Sequence, residues 1–352
     1  MVTPVATANL LARDLDEVLE RGGALWAELR NARIFITGGT GFVGRWLLET
    51  LVWASDRRGL GVSVTALTRR PQRFAADAPH LASHASVHVL EGDARSFAFP
   101  DGRFTHIVHA ASDSSPLRDQ DSRRRLFDTT VVGTRHALEF ARTSGARRLL
   151  FTSSGAIYGR QPADLELTSE DYTGGPDPAA VGSVYGEAKR AAEMLCALNA
   201  GPTLHPVIAR LFAFIGPYLP LDANFAAGNF VQDALTGGPI RIAGDGTPYR
   251  SYLYASDLAL WLWTLLVDGQ SARPYNVGSA EPVSIRELAE RISRAAGGLR
   301  IEVAREPVPD AAPERYVPSV RRAEEELGLR VAVSLDDAIQ RTLAWHRGRV
   351  TA

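Results

Sequence analysis

Between a short apolar run, Arg33 to Thr37, and a helical stretch from Phe42 to about Ala54, the chain reads Thr37-Gly38-Gly39-Thr40-Gly41-Phe42-Val43-Gly44. No other feature restricts the fold as much. Glycine at such a turn tolerates positive φ, lets the backbone approach a pyrophosphate, and lets the helix close onto the strand, which are the tasks open to Gly38, Gly41 and Gly44. The helix start, with Phe42 and Val43, adds N–H donors and partial positive charge. Strand, glycine turn and helix in that order open a βαβ unit and point to dinucleotide binding.

Further strands are predicted at Val62 to Leu67, Val87 to Leu90, Thr105 to His109, Arg148 to Thr152 and Leu204 to Arg210, with helical segments between most of them. That alternation implies an α/β fold with a doubly wound parallel Rossmann sheet. At roughly 100 to 200 residues per domain, 352 residues predict about two domains or one large domain with an appendage. The divisions are a helical extension over 1–30, a dinucleotide-binding domain over 31–208, and a smaller substrate-facing part over 209–350, where Gly and Pro become frequent. In the extension Leu10, Leu11, Leu15, Val18, Leu19, Leu25, Trp26 and Leu29 recur at helical spacing. They predict an amphipathic helix packed on the body or on a second subunit. Gly159 to Gly182 reads as a long surface loop.

Composition removes several classes of function. With 39 cationic and 40 anionic side chains the net charge is −1, so no global field attracts nucleic acid or an anionic membrane. The apolar run Leu258 to Val267, flanked by Asp257 and Asp268, is about half of a bilayer span. It predicts a core helix that packs back on the first domain. Residues Met1 to Arg30 lack the basic start and continuous apolar core of a signal peptide. Cys196 is the only cysteine, which excludes an internal disulfide, predicts a buried inert thiol and suits a reducing, cytoplasmic setting. His106 and His109, three apart on one strand, point to opposite faces and read as structural. No cluster has metal-ligand spacing, and no metal is expected.

The chemistry concentrates at two places. Tyr185 and Lys189 stand at i and i+4 and share a helix face. Lys189 is the only lysine among 39 lysine and arginine residues. A compact ammonium fits where a planar guanidinium does not, and a nearby cation is expected to favour the phenolate of Tyr185, making it a general acid/base. Ser154 lies in Thr152-Ser153-Ser154-Gly155-Ala156, at the carboxyl end of the fifth strand, where open α/β sheets bind ligands.

These motifs resemble the extended short-chain dehydrogenase/reductase family, in particular its nucleotide-sugar epimerase and dehydratase branch, from about Arg33 to His346. The resemblance implies catalytic roles for Ser154, Tyr185 and Lys189. It implies cofactor contacts at Gly38, Gly41, Phe42, Val43 and Gly44, at Asp93 and Ala94 after Gly92, and at Ala110, Ala111 and Ser112 after His109. It implies that Arg250, in Arg250-Ser251-Tyr252, holds the nucleotide diphosphate, with Asn229 and Arg315 as weaker matches. It also implies a homodimer made by a four-helix bundle from the helices around Leu126 to Thr143 and Val184 to Asn199.

Departures from the family pattern narrow the expectation. Dehydratases of the branch carry an Asp-Glu pair after the catalytic Ser/Thr, and hexuronic acid decarboxylases usually keep a Glu; here Gly155 and Ala156 stand there, and both activities are disfavoured. Thr130 and Ala213 replace Asn residues common in the family. Where NAD-preferring members carry an Asp, this chain has Arg69 and Arg70, which favours NADP(H) over NAD(H). The expected function is epimerisation of a nucleotide-diphosphate sugar through a transient keto-sugar. The alternative is NADPH-dependent reduction of a nucleotide 4-keto-6-deoxysugar; a non-catalytic NADPH-binding sensor is disfavoured by the intact triad.

Overall fold

The computed structural model describes residues 9–112, 117, 119–223 and 225–350. The first eight residues of the predicted extension lie outside the described residues. Seven strands form a wholly parallel sheet: Arg33–Thr37, Ser63–Thr68, Val87–Glu91, His106–His109, Arg148–Ser154, His205–Leu211 and Pro274–Val277, the first to seventh in chain order. Their spatial order is third, second, first, fourth, fifth, sixth, seventh, so the chain reverses direction across the sheet beside the first strand. Ligands of open α/β sheets bind at such a reversal, off the carboxyl ends of the strands.

Helices Phe42–Arg58 and Ala255–Asp268 cover one face, burying Trp46, Trp261 and Trp263 completely. Helices Gln120–Thr143 and Val184–Leu198 lie on the other, and Phe140 of the first packs there with Phe35, Phe104 and Phe151. Each large apolar side chain removed from water there contributes roughly 1.5–3 kcal/mol. The Phe42–Arg58 helix runs one turn beyond the predicted end because its terminator is Gly59, in the left-handed region, whose N–H caps Ser55 O. Leu258 to Val267 lies inside the Ala255–Asp268 helix, and its side chains join the core of the large sheet.

Beyond the sixth strand a second core gathers Ile240, Ile242, Leu288, Ile292, Ile339 and Leu343 under helices Ala226–Leu235, Ile285–Ala295 and Leu335–Val350. A small sheet beside it aligns Val283–Ser284, Tyr249–Arg250 and Arg315–Tyr316. The extension is two helices rather than one, Ala12–Gly22 and Leu25–Glu28, broken at Gly23 with φ 48. It packs on the body: Leu11, Leu15, Val18, Trp26 and Leu29 are buried, and Arg21 pairs with Asp257.

Candidate active site

A cavity of about 1130 Å³ runs along the carboxyl edge of the sheet, from the first glycine turn to the small three-stranded sheet. Its floor is shaped by absent side chains. Gly38 has φ 69, and a Cβ there would stand 2.6 Å from Ala110 O; on Gly44 a Cβ would stand 2.4 Å from Gly38 O. Phe42, Val43 and Gly44 line the cavity. Their amides belong to the first helical turn, which has no intrahelical acceptor, and Gly41 caps the helix without a side-chain hydrogen bond. Backbone donors facing an open cradle suit a pyrophosphate, so these residues fit a dinucleotide.

One edge of that cradle is held by a buried histidine. Thr134 Oγ1 donates to Thr130 O at 2.6 Å, so it accepts from His109 Nε2 at 3.1 Å, and His109 Nδ1 accepts from Thr37 Oγ1 at 2.7 Å. Thr37 Oγ1 in turn accepts from the Ala111 N–H at 3.1 Å. Burial, with Lys189 nearby, lowers the His109 pKa to about 3, so the ring is neutral and its polar atoms are satisfied within the fold. His106 bonds Thr105 and is lowered to about 4 by burial. Thr130 spends its own hydroxyl on Leu126 O, while Thr129 and Ala213 line the cavity.

After the second strand Arg69, Arg70 and Arg73 line the cavity. Two carboxylates there are engaged: Asp77 pairs with Arg45 at 2.9 Å, and Asp93 accepts from the Arg95 backbone and guanidinium at 2.9 Å. Asp77 also pairs with Arg73 at 3.5 Å, so the cations there without a carboxylate partner among the described residues are Arg69 and Arg70.

The Ser154, Tyr185 and Lys189 side chains all reach the cavity. The fifth strand delivers Ser154 at its last position, where Ser154 Oγ accepts the Ala156 N–H at 3.2 Å. The Val184–Leu198 helix delivers Tyr185 and Lys189 one turn apart. Lys189 Nζ donates to Thr152 O at 2.7 Å and lies 5.9 Å from the Tyr185 ring centroid. Burial lowers the lysine to about 8, although Glu193 opposes the shift. The tyrosine differs from expectation: burial raises its pKa, and the group that pulls it down is the Ser154 hydroxyl. A desolvated phenol favours its neutral form, and Lys189, tied to Thr152 O, does not reverse this. Cys196 is buried and its thiol pushed well up, as expected of an inert side chain.

Of the other residues singled out in sequence, Asp93, Ala94, Ala110, Ala111, Ser112 and Arg250 also line the cavity. Asn229 and Arg315 do not. Asn229 is exposed and does not line the cavity, which the Ala226–Leu235 helix meets with Ala226 and Ala227. Arg315 lies over the Tyr249 ring at 4.6 Å, and its neighbour Tyr316 takes the inward place. Tyr316, Phe212 and Tyr218 are lining residues that sequence reasoning missed; strand alternation around Arg315 was the available signal for Tyr316. Among the described residues no three His, Cys, Asp or Glu side chains gather to hold a metal, and no helix is long and apolar enough to cross a membrane.

Fold and cavity together define a dinucleotide-binding α/β enzyme fold. Residues 34–278 match the profile of the NAD dependent epimerase/dehydratase family, and the chain belongs to that family. Among curated relatives, UDP-glucuronic acid decarboxylase 1 of Arabidopsis thaliana is 30% identical over 323 residues, 91% of this chain and 71% of that protein. The enzyme of the same name from Xenopus tropicalis is 29% identical over 91% of this chain and 73% of its own. A UDP-glucose 4-epimerase from Thermotoga maritima, solved with UDP-glucose, superposes with TM-score 0.75 at 21% identity, covering 90% of this chain and 99% of that one. DesIV, a dTDP-glucose 4,6-dehydratase from Streptomyces venezuelae solved with NAD and TYD bound, gives TM-score 0.74 at 24% identity, covering 91% and 98%.

Proposed function

We propose that the chain is an NAD(P)-dependent nucleotide-sugar epimerase working through a transient keto-sugar. The observation that carries this reading is the convergence of Ser154, Tyr185 and Lys189 on a cavity continuous with the glycine cradle. A nicotinamide dinucleotide in that cradle would accept a hydride from the sugar carbon and return it. Tyr185 takes the hydroxyl proton as its carbon is oxidised and gives it back on reduction. Ser154 donates its one proton to the phenolate, or to the sugar oxygen once the substrate is bound. Lys189 directs its remaining N–H groups to the cofactor ribose and supplies positive charge behind the phenolate. Arg250, tied to Glu314 at 2.8 Å and lining the cavity, meets the diphosphate.

NADP(H) is the favoured cofactor on the strength of Arg69 and Arg70 and the absence of a carboxylate directly after the second strand. The same arginines favour a second reading, reduction of a nucleotide 4-keto-6-deoxysugar. Gly155 and Ala156 supply no proton-transfer group beside Ser154, which speaks against dehydration and against the decarboxylation for which the curated relatives are named. A homodimer is supported by the exposed Phe127, Met194 and Leu198 on the paired helices Gln120–Thr143 and Val184–Leu198; light scattering tests it.

The deciding experiment offers the purified protein UDP- and dTDP-linked hexoses, UDP-glucuronate and a 4-keto-6-deoxysugar nucleotide, with products followed by NMR. An epimer formed without net cofactor change is the expected result. Stoichiometric loss of NADPH on the keto-sugar would establish the second reading, and carbon dioxide released from UDP-glucuronate would overturn both.

A further inference from the structure

Ser154 has a neighbour that its motif does not announce. Tyr316 Oη lies 3.5 Å from Ser154 Oγ. The phenol arrives from a two-residue strand, Arg315–Tyr316, whose register sets Tyr316 beside Arg250 and Arg315 beside Tyr249. Three further restraints hold it there. The Val317 N–H donates to Gln161 Oε1 at 3.0 Å, Val317 O accepts the Thr168 N–H at 2.9 Å, and the Tyr316 ring packs on Phe212 at 4.7 Å.

The space that admits the phenol is the missing side chain of Gly155. A Cβ at that position would stand 2.6 Å from the Phe212 ring and 2.8 Å from Tyr316 Oη. The absence of an acid after Ser154 and the presence of Tyr316 are therefore one arrangement.

A serine hydroxyl accepts two hydrogen bonds and donates one. The Ala156 N–H fills the first acceptor position of Ser154 Oγ. We propose that Tyr316 is a positioning residue: its phenol donates to Ser154 Oγ, fills the second acceptor position, and so turns the serine proton toward Tyr185 and the sugar oxygen. Burial keeps Tyr316 protonated far above neutral pH, so it remains a donor while Tyr185 exchanges its proton. The groups that face the two phenols are Ser154 between them, Lys189 behind Tyr185, and Arg250 and Tyr158 behind Tyr316.

The proposal rests on the catalytic reading of Tyr185, so its test includes a readout that needs no substrate. Phenolate absorbance of the cofactor-loaded, full-length protein is titrated with pH, with Tyr185→Phe identifying the Tyr185 component. In Tyr316→Phe that component should move up by about 0.5–1 pH unit, because the serine is no longer held as a donor to the phenolate. With an accepted nucleotide sugar, kcat at neutral pH should fall about 3- to 10-fold and recover at alkaline pH, with KM and cofactor affinity unchanged. Gly155→Ala, which keeps the phenol but drives it from the serine, should shift the titration in the same direction. An unmoved Tyr185 titration in both variants overturns the proposal, whether or not any substrate has been found. So does a loss of kcat that is equal at every pH, since that is the mark of a merely structural ring.

Discussion

Two buried ionic clusters, one beneath the N-terminal helix and one beside the cavity, use similar residues and reach opposite degrees of satisfaction. Under the helix, Asp257 is wholly buried and accepts from Arg21 at 2.6 Å and from the backbone of Ala332 and Val333 at 3.0 and 3.1 Å. Asp14 accepts from Tyr254 at 2.7 Å and from Arg341, which also reaches Glu17 and Asp337. Each of these groups is met more than once. Beside the cavity Lys189 is 2% exposed, yet its one hydrogen bond among the described residues goes to Thr152 O. The carboxylate one turn on, Glu193, is already engaged by Ser153 and by the Nε and Nη2 groups of Arg210. The saturated cluster holds the fold together; the unsaturated one keeps donors in reserve for a ligand, at a cost in stability.

The comparison breaks first at Lys189. Lys189→Met should reduce turnover roughly 10²- to 10⁴-fold, as loss of an acid/base system does. It should also raise the stability of the cofactor-free protein at pH 7 by about 1–3 kcal/mol, measured by denaturant unfolding. The sign follows from the depressed lysine pKa of about 8 in the fold. The unfolded chain holds that proton up to about 10.4, so wild-type stability should rise with pH between these values and the variant should lose the rise. A Met variant less stable than the wild type would refute the reserve.

Arg341→Ala should do the reverse: a loss of about 3–5 kcal/mol, because Asp14 is left buried beside fewer donors, with kcat per folded molecule preserved. Acid sharpens the contrast within the cradle. His109 cannot take up its proton until about pH 3 while folded, whereas the unfolded ring does so near 6.5, so stability present above 6.5 drains away as pH falls toward 3. By pH 5 this amounts to about 2 kcal/mol; urea midpoints unchanged between pH 7 and 5 would contradict it. The smallest effect is expected from Arg69→Ala with Arg70→Ala, which should weaken NADP(H) against NAD(H) by about 10-fold in fluorescence titration.

What the sequence disclosed was local. The strand, glycine turn and helix from Arg33 to Gly44 are contiguous, and Ser154, Tyr185 and Lys189 are marked by motif spacing and by the rarity of lysine. What stayed hidden depends on distant pairing. Tyr316 reaches Ser154 across 162 residues of chain, and a one-residue step along its short strand separates it from Arg315 on the opposite face. The charge state of Tyr185 was illegible because spacing places Lys189 on the right face but says nothing of burial or of Thr152 O, which fixes where the ammonium lies.

Asp257 opens the helix that follows Tyr252–Tyr254, and that strand continues from Arg250 in the cleft. Arg21 clamps the start of that helix from outside, while Ala332 and Val333 clamp it from the C-terminal side. Trimming the protein to its family-matched segment would therefore unfasten the helix beside the cavity from two directions at once, and expression tags belong upstream of the first helix rather than in its place.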